Sequence, residues 1–172
     1  MSRHHIAART LLAAFGMAAA VTLAAPAHAA TTVGVRLNGA ELRMSGSDFA
    51  DDIEIGAESD GLTVTSRAAT IFIGSDSGCE RINDFKVRCR GATTIHAELG
   101  LGNDTFLNVT NRPGEISGNV GADNITGGAG DDTLRGGNGN DILDGAGGFD
   151  TVIGGNNFDT CIGENESLSC ES

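Results

Sequence analysis

The sequence predicts an all-β protein, a right-handed parallel β-roll with N-terminal β-strands stacked on the roll or capping it. Three observations support this class. A nine-residue sequence repeat occurs five times between Gly118 and Ile162 without a change of register, and each copy is called a phrase below. Every copy places one apolar residue two positions after an aspartate. Before the repeats, short runs of alternating apolar and polar residues are typical of strands, and helical periodicity is absent beyond the first 30 residues.

Each copy of the phrase combines glycine, aspartate and an apolar residue in fixed places. The five phrases read GNVGADNIT, GGAGDDTLR, GGNGNDILD, GAGGFDTVI and GGNNFDTCI. Glycines in the first, second and fourth places let the chain turn tightly. The last residues then form a short strand whose eighth-place side chain faces inward. Two phrases therefore make one coil, and phrases two apart share an edge of the roll.

The sixth place is aspartate in all five phrases, and the phrase beginning at Leu99 adds another. We expect these residues to stack in two columns, Asp104, Asp123, Asp141 and Asp159 on one edge, and Asp132 and Asp150 on the other. Carboxylates and turn carbonyls together supply the six to eight oxygen ligands that Ca²⁺ requires. The predicted calcium ligands are these six aspartates with turn carbonyls near Gly128, Gly130, Gly137, Gly139, Gly147 and Gly148.

The alternative interpretation is a flexible acidic linker. Disordered linkers do not hold aspartate and an aliphatic residue in phase over five copies, so we favour the metal-binding interpretation. Two segments depart from this regular spacing of aspartate and apolar residues. Residues 108–117 form a ten-residue unit without aspartate, although Ile116 keeps the apolar place, and the phrase around Asp51 is too degenerate for us to assign calcium to it.

Phe149 and Phe158 stand in the fifth place of their phrases, where polar residues are usual. Two interpretations are open, a patch that faces a partner and packing against the adjacent loop. We favour packing.

The first 29 residues read as a secretory signal peptide. Basic residues precede an apolar run over 11–25, and a small-residue site follows, with cleavage expected after Ala29. A membrane anchor is the weaker alternative, because the run is shorter than the roughly 20 residues needed to span a bilayer. We therefore expect a secreted, extracellular protein without a membrane span.

The composition is strongly acidic, with 11 Lys and Arg against 23 Asp and Glu and a net charge of −12. Loss of Arg3 and Arg9 with the signal leaves 9 basic residues and a charge of −14. Such a chain is a poor partner for nucleic acid or an anionic membrane. Its repeats are expected to repel themselves until a divalent cation binds, so that metal binding supplies folding free energy.

Four cysteines in an exported chain indicate two disulfides. The spacing favours Cys79 with Cys89 and Cys161 with Cys170, although three pairings are open from the sequence alone. Earlier in the chain, alternating residues on both sides of Asn38-Gly39 predict a hairpin. Further strands are expected at 53–55, 62–64, 71–73, 85–87 and 94–97. The expected organisation is residues 1–29 as signal peptide, 30–98 as strands with a disulfide loop, and 99–172 as the repeat roll with a disulfide cap.

The phrases from Leu99 to Ile162 resemble the haemolysin-type (RTX) calcium-binding repeat, most strongly over 127–153. The layout is similar to small secreted calcium-binding proteins of actinobacteria, in which a signal and N-terminal strands precede GxGNDT and GGxGxD repeats that end in DTCxGE. The resemblance implies a parallel β-roll with calcium at the sixth-place aspartates. Toxin and protease activities are not implied, because the chain has no HExxH motif and carries a cleavable signal.

The function expected from these features is non-enzymatic binding of several Ca²⁺ ions between stacked turns, with folding on binding. One alternative is an adhesion or matrix-interaction module that calcium stiffens, with an extracellular polysaccharide or cell surface as a partner of unknown identity. A less favoured alternative is an accessory polysaccharide-active enzyme. The residues left for acid–base chemistry after signal removal are few, since His96 and Lys86 are the single histidine and lysine.

Overall fold

A computed structural model of the protein describes residues 32–75, 77–163 and 166–170, and all regular structure in these residues is β-strand. The predicted all-β class is confirmed. The predicted signal peptide, residues 1–29, lies outside the described residues. Within the described part, no helix has the length and apolar character needed to cross a membrane.

Sixteen strands are present in the described residues. In chain order they are β1 Thr32–Asn38, β2 Glu41–Ser45, β3 Asp52–Glu58, β4 Gly61–Ser66, β5 Thr70–Ile73, β6 Cys79–Asn83, β7 Lys86–Arg90, β8 Thr94–Leu101, β9 Thr105–Asn108, β10 Gly114–Val120, β11 Asn124–Gly128, β12 Thr133–Asn138, β13 Ile142–Ala146, β14 Asp150–Asn156, β15 Thr160–Ile162 and β16 Glu166–Ser169.

The strands form two eight-stranded sheets. The first has the order β16-β14-β12-β10-β8-β2-β1-β5 and the second β15-β13-β11-β9-β3-β4-β7-β6. From β8 onward, consecutive strands alternate between the sheets, and each pairs in parallel with the strand two positions later. Both sheets are mixed rather than wholly parallel, because the N-terminal strands also pair antiparallel, as β1 does with β2 and β3 with β4.

The N-terminal strands continue the sheets that the repeats build. β2 pairs in parallel with β8, and β3 pairs in parallel with β9. The repeat region therefore begins on an edge that is already occupied by backbone hydrogen bonds. This arrangement protects one end of a stack whose strand edges would otherwise be open to other chains.

The core runs through the whole stack as one cluster of inward side chains. In the repeats the eighth-place residues Ile125, Leu134, Leu143 and Val152 are fully buried, and Ile116 keeps its inward place in the ten-residue unit. Each repeat contributes one such side chain, because the neighbouring residues of a strand face outward. The apolar core of the repeats is consequently thin.

The N-terminal strands follow the predicted pattern with one exception. The hairpin of β1 and β2 is confirmed, and Gly39 takes the positive φ of 66° that its turn requires. Strand β6 was not predicted from the sequence. Its residues CERIN are mostly exposed, so the strand lacks the apolar alternation that would reveal it, and it is held as an edge strand by pairing with β7.

The two predicted disulfide pairings are confirmed. Cys79 and Cys89 lie directly opposite each other on β6 and β7, and the structure joins them. Cys161 on β15 is joined to Cys170, which follows β16. Because β15 and β16 belong to different sheets, this second bond ties the two sheets together at the C-terminal end of the stack.

Replacing Cys79 and Cys89 together by alanine is expected to lower the free energy of unfolding by about 2–3 kcal/mol, since a short loop is released in the unfolded chain. The measurement is urea unfolding of the oxidised protein at saturating calcium. The matched control is the double alanine variant of Cys161 and Cys170, which should mainly affect the C-terminal end. An unchanged unfolding midpoint for the first variant would contradict the prediction.

Candidate functional site

One edge of the stack carries a column of aspartates joined by hydrogen bonds. The backbone N–H of Asp104 donates to Oδ1 of Asp123 (2.8 Å), that of Asp123 to Oδ1 of Asp141 (2.8 Å), and that of Asp141 to Oδ1 of Asp159 (2.9 Å). This is the order of stacking that the nonapeptide spacing predicts. Each aspartate thus supports the turn below it with one carboxylate oxygen.

The opposite edge carries the second column. The N–H of Asp132 donates to Oδ1 of Asp150 (2.7 Å), and the N–H of Gly114 donates to Oδ1 of Asp132 (2.6 Å). Gly114 stands where a sixth-place aspartate would otherwise lie, since its neighbour Glu115 is in register with Thr133. The ten-residue unit therefore ends the acid column without breaking the backbone ladder.

The turn of the ten-residue unit is built from side chains in place of glycines. Oδ1 of Asn108 accepts hydrogen bonds from the N–H (2.9 Å) and the hydroxyl (2.7 Å) of Thr110. The Thr110 hydroxyl in turn accepts from the N–H of Arg112 (3.0 Å), and Nδ2 of Asn108 donates to the Arg112 carbonyl (3.2 Å). This closed network satisfies the turn locally, which explains why the unit needs no aspartate.

The second carboxylate oxygen of each column aspartate is buried without a hydrogen-bond partner. Among the described residues, the buried side-chain N and O atoms in this condition are six oxygens, Oδ2 of Asp104, Asp123, Asp132, Asp141, Asp150 and Asp159. These six aspartates are the side-chain metal ligands predicted from the sequence. A buried carboxylate oxygen without a partner is energetically costly, and a cation is the group that removes this cost.

At four of the six aspartates, the orphaned oxygen lies close to the first-place glycine of its own phrase, which is Gly118, Gly127, Gly136 or Gly154. At Gly127, the position that a Cβ would occupy is 2.7 Å from Oδ2 of Asp132 and 3.0 Å from the carbonyl oxygen of Gly145. Gly118 has the same surroundings, with Oδ2 of Asp123 and the Gly136 carbonyl. At Gly118, Gly127 and Gly136 the missing side chain therefore leaves a position bounded by a carboxylate oxygen and a carbonyl oxygen.

The oxygen atoms that surround these glycines are of the type that a hard cation prefers. Across the described residues, no three His, Cys, Asp or Glu side chains converge on one point, so a metal at this edge would be held by one or two carboxylates together with backbone carbonyls. Oxygen donors of this kind suit Ca²⁺, which accepts irregular coordination. The chemistry of the donor set agrees with the calcium ligands predicted from the sequence.

The first-place carbonyls were not among the predicted ligands. The predicted turn glycines lie instead in a column of close backbone contacts, in which a Cβ at Gly139 or Gly148 would meet the carbonyl oxygen of Gly121 or Gly130. The carbonyl of Gly128 already accepts the N–H of Gly147 (2.8 Å). Of the other predicted turn carbonyls, that of Gly137 faces Gly155 in the same way. The structure therefore adds the carbonyls of Gly136 and Gly145 to the candidate ligands.

Burial raises the pKa of the column aspartates. The pKa of Asp104 and of Asp132 rises to about 7 and that of Asp123 to about 6, in each case mainly through desolvation. A hydrogen bond from a backbone N–H opposes the rise, and a neighbouring carboxylate adds to it. The pKa values of Asp141 and Asp150 are raised for the same reasons. The folded stack thus penalises the ionised carboxylates unless a cation is bound.

Asp51 extends the first column beyond the repeats. Its N–H donates to Oδ1 of Asp104 (2.7 Å), and the side chain is buried. Both of its carboxylate oxygens have partners, since Oδ2 accepts the N–H of Ser47 (2.7 Å) and Oδ1 accepts the Ser47 hydroxyl (3.2 Å). Asp51 therefore continues the column, but hydrogen bonds from Ser47 satisfy both of its carboxylate oxygens.

The exposed phenylalanines correct one expectation. Phe149 and Phe158 are 77% and 72% exposed, so the packing interpretation is wrong. Fifth-place polar residues form an outer ladder in which Asp131 accepts the N–H of Phe149 (2.9 Å) and Asn140 accepts that of Phe158 (3.1 Å). Both phenylalanines occupy the last fifth place in their columns. No later phrase stacks on them in the described residues, so neither needs a side-chain acceptor.

The close approach of stacked turns explains the glycines. Gly139 has a φ of 139°, and a Cβ there would meet the Gly121 carbonyl. Ala146 and Asn157 stand in glycine places and also adopt positive φ values, 67° and 83°. The backbone conformation of the turn is therefore kept even where the residue type is unfavourable.

Gly139→Ala is expected to lower the free energy of unfolding by about 1–3 kcal/mol, because it adds backbone strain and a clash inside the column. Gly147→Ala is the matched control, since its Cβ would lie 3.8 Å from the nearest atom, an ordinary contact. Thermal unfolding at saturating calcium measures both variants. Equal melting temperatures for the two would show that turn stacking does not require glycine at position 139.

Comparison with known proteins agrees with this geometry. No curated protein and no solved structure matches the chain. Residues 117–152 match the family model HemolysinCabind, the RTX calcium-binding nonapeptide repeat (4 copies). The matched segment holds the sixth-place residues Asp123, Asp132, Asp141 and Asp150. The match over residues 117–152 supports a haemolysin-type repeat similar to those of RTX proteins, and repeats of this kind indicate calcium binding.

Proposed function

We propose that this protein is an exported, non-enzymatic calcium-binding protein whose repeats form a right-handed parallel β-roll and become ordered when Ca²⁺ binds. The observation that carries the proposal is the set of six buried Oδ2 atoms without partners, one at each sixth-place aspartate. The parallel pairing of strands two apart supports the roll. The signal-like segment at residues 1–29 supports export.

In this proposal the metal sites lie between stacked turns. Asp123 and Asp132 each direct an orphaned oxygen toward the first-place glycine of their own phrase, and the carbonyl two phrases later lies on the same space. A bound cation would join one turn to the next in its column. Each site is thus shared by phrases two apart, so that filling one site orders part of the next.

Folding and metal binding are coupled through the thin core of the repeats. One inward aliphatic residue per phrase provides little apolar burial, whereas ordering nine residues costs conformational entropy. The buried carboxylates add a further penalty when they are ionised. Calcium reverses that penalty, and its binding free energy then becomes folding free energy. Extracellular calcium at about 10⁻⁴–10⁻³ M is the range in which such modules respond.

Calcium titration of the oxidised protein tests the proposal. Calorimetry is expected to show several bound ions, and far-UV circular dichroism is expected to show a cooperative gain of β signal over the same concentrations. Asp132→Ala should weaken binding and reduce the number of ions, because it removes one orphaned oxygen. The control is Asp84→Ala, an exposed acid outside the columns.

Two results would overturn the proposal. A protein that binds no calcium, and whose β signal is complete in chelator, would show that the columns are a structural feature only. Equal calcium binding by Asp132→Ala and Asp84→Ala would show that calcium binds to surface acids rather than between the turns.

A further inference from the structure

The outer face of the first sheet has a groove at its N-terminal end, away from the aspartate columns. The groove encloses about 670 Å³ and crosses strands β1, β2, β5 and β8. The loop after β5 forms one wall, where the carbonyl of Ser77 accepts the N–H of Leu37 (2.6 Å). Nothing in the repeat sites uses these residues. The groove is therefore a separate feature of the N-terminal strands.

Three basic side chains lie in one row along the groove. Arg36 on β1 is directly opposite Arg43 on β2, and Arg43 is in register with His96 on β8. Like charges placed directly opposite each other destabilise a sheet. Arg43 has a carboxylate partner, Glu41 (2.6 Å), whereas Arg36 forms no ion pair among the described residues. Within the described part of the structure, Arg36 is thus a cation without an ion-pair partner on the surface of a strongly acidic chain.

The adjacent row combines an aromatic ring with polar groups. Phe72 is 62% exposed and in register with Gly34, which pairs with Ser45, and Ser45 is in register with Glu98. Gly34 has no side chain to fill the position between its neighbours, where a Cβ would make an ordinary contact 3.7 Å from the Ser45 carbonyl oxygen. The ring of Phe72 therefore forms one side of a shallow depression, and the Glu98 carboxylate lies on the opposite side.

From this arrangement we propose that the groove binds a saccharide that bears a carboxylate or sulfate group. Opposite residues in an antiparallel pair have Cβ atoms about 4.5–5.5 Å apart, so both Arg36 and Arg43 reach a single anionic group. The apolar face of the sugar ring packs on Phe72. Glu98 and Ser45 accept hydrogen bonds from the hydroxyl groups of the sugar.

The charge distribution favours this ligand over nucleic acid. The chain has a net charge of −12, and Glu98 and Glu115 lie next to the basic row, each 3.5 Å from a ring nitrogen of His96. A polyphosphate would be repelled by these acids along most of its length. An isolated carboxylate or sulfate on a largely neutral, hydroxyl-rich ligand meets the arginines without that repulsion.

The groove also continues toward the repeats. Glu98 is in register with Ser117, and Ser117 with Arg135, which lines a second depression of about 370 Å³. Nδ2 of Asn156 donates to Oδ1 of Asn138 (2.7 Å) at its edge. Further sugar residues would follow this polar surface across the strands. The ligand is therefore an oligosaccharide rather than a single sugar.

Isothermal titration calorimetry tests the proposal on the oxidised protein with calcium at a saturating concentration. The probes are a galactan oligosaccharide with a single uronate residue, the same oligosaccharide with a single sulfate group, the neutral galactan oligosaccharide and inorganic polyphosphate, all at the same free calcium concentration. We expect binding of the first or second probe, with at least tenfold weaker binding of the neutral one; the tighter of the two charged probes identifies the anionic group. Arg36→Gln and Phe72→Ser should each weaken binding by about tenfold or more.

Two exposed residues of the second sheet provide matched controls. Arg81→Gln and Phe85→Ser remove a cation and a ring on β6 and just before β7, outside the groove, and should leave binding unchanged. The proposal is overturned if no saccharide binds, if the neutral saccharide binds as tightly as the charged ones, if polyphosphate binds most tightly, or if control and groove variants weaken binding equally. Calcium binding is measured on the same samples, so failure of the groove and failure of the proposed calcium sites are distinguished.

Discussion

Chelating calcium at pH 8 is expected to unfold the repeats of residues 99–162 while strands β1–β7 keep their structure. At this pH the column aspartates are ionised in the unfolded chain, and folding without metal would bury their orphaned oxygens. The described N-terminal strands bury no orphaned carboxylate oxygen, since both oxygens of the buried Asp51 accept hydrogen bonds from Ser47. They contain a larger apolar core, the Cys79–Cys89 disulfide and salt bridges such as Arg88 with Glu58 (2.5 Å). The two parts therefore respond differently to the same treatment.

Hydrogen exchange read by mass spectrometry measures this difference. Each independent site, at a calcium concentration about 100 times its dissociation constant, stabilises the folded state by about 2.7 kcal/mol. Because chelation empties several sites at once, protection of the backbone amides of β10–β14 from hydrogen exchange should fall by orders of magnitude. Magnesium is the control, because it prefers a smaller octahedral site and should restore little protection. Simultaneous loss of protection in β1–β7 would show that the stack unfolds as one unit.

The repeat half illustrates what a sequence period can predict. A nine-residue phrase with one apolar place determines which side chain turns inward, so the burial of Ile125, Leu134, Leu143 and Val152 follows from phase alone. The same period determines which aspartates share an edge, as the hydrogen bonds from Asp123 to Asp141 show. Phase relates only repeated positions to each other, and here those positions include the candidate calcium ligands.

Asp51 shows where this reasoning ends. It joins the column through a hydrogen bond to a residue 53 positions later. That contact depends on the parallel pairing of β3 with β9, a long-range pairing that cannot be predicted from the local sequence pattern. The carbonyls of Gly136 and Gly145 were missed for a related reason. Backbone oxygens have no side-chain signature, so their direction is known only once the turns are stacked.

The position of the groove depends on similar long-range pairings. Arg36, Arg43 and His96 are far apart in the chain, and three strands in register bring them into one row. A different group of basic residues lies next to Cys89 on β7. Arg88 and Arg90 of that group are paired with Glu58 and Asp60. Composition therefore identified the available charges, whereas the sheet register decides which of them remain accessible to a ligand.

In the absence of calcium, the stability of the protein is expected to fall as the pH rises from about 4 to about 7. The folded pKa values of Asp104 and Asp132 are about 7 and that of Asp123 is about 6, all above the value of about 3.9 in an unfolded chain. In this window the folded state binds more protons than the unfolded state, so raising the pH favours unfolding. The stabilisation by protonation is complete below about pH 3.9 and is lost above about pH 7.

Calcium is expected to reverse this dependence, because it binds the ionised carboxylates and displaces the protons they carry. Thermal unfolding at pH 5 and pH 8 should give a higher melting temperature at pH 5 in chelator, and a larger stabilisation by calcium at pH 8. Calorimetric titration at pH 6 in two buffers of different ionisation enthalpy counts the protons released for each ion. The control variant Asp132→Asn removes one raised pKa and should reduce both the pH slope and the proton count. The contradicting result is that calcium binds at the columns at pH 6 without releasing protons. The carboxylates would then already be ionised in the folded stack, and their orphaned oxygens would not be the atoms that the metal neutralises.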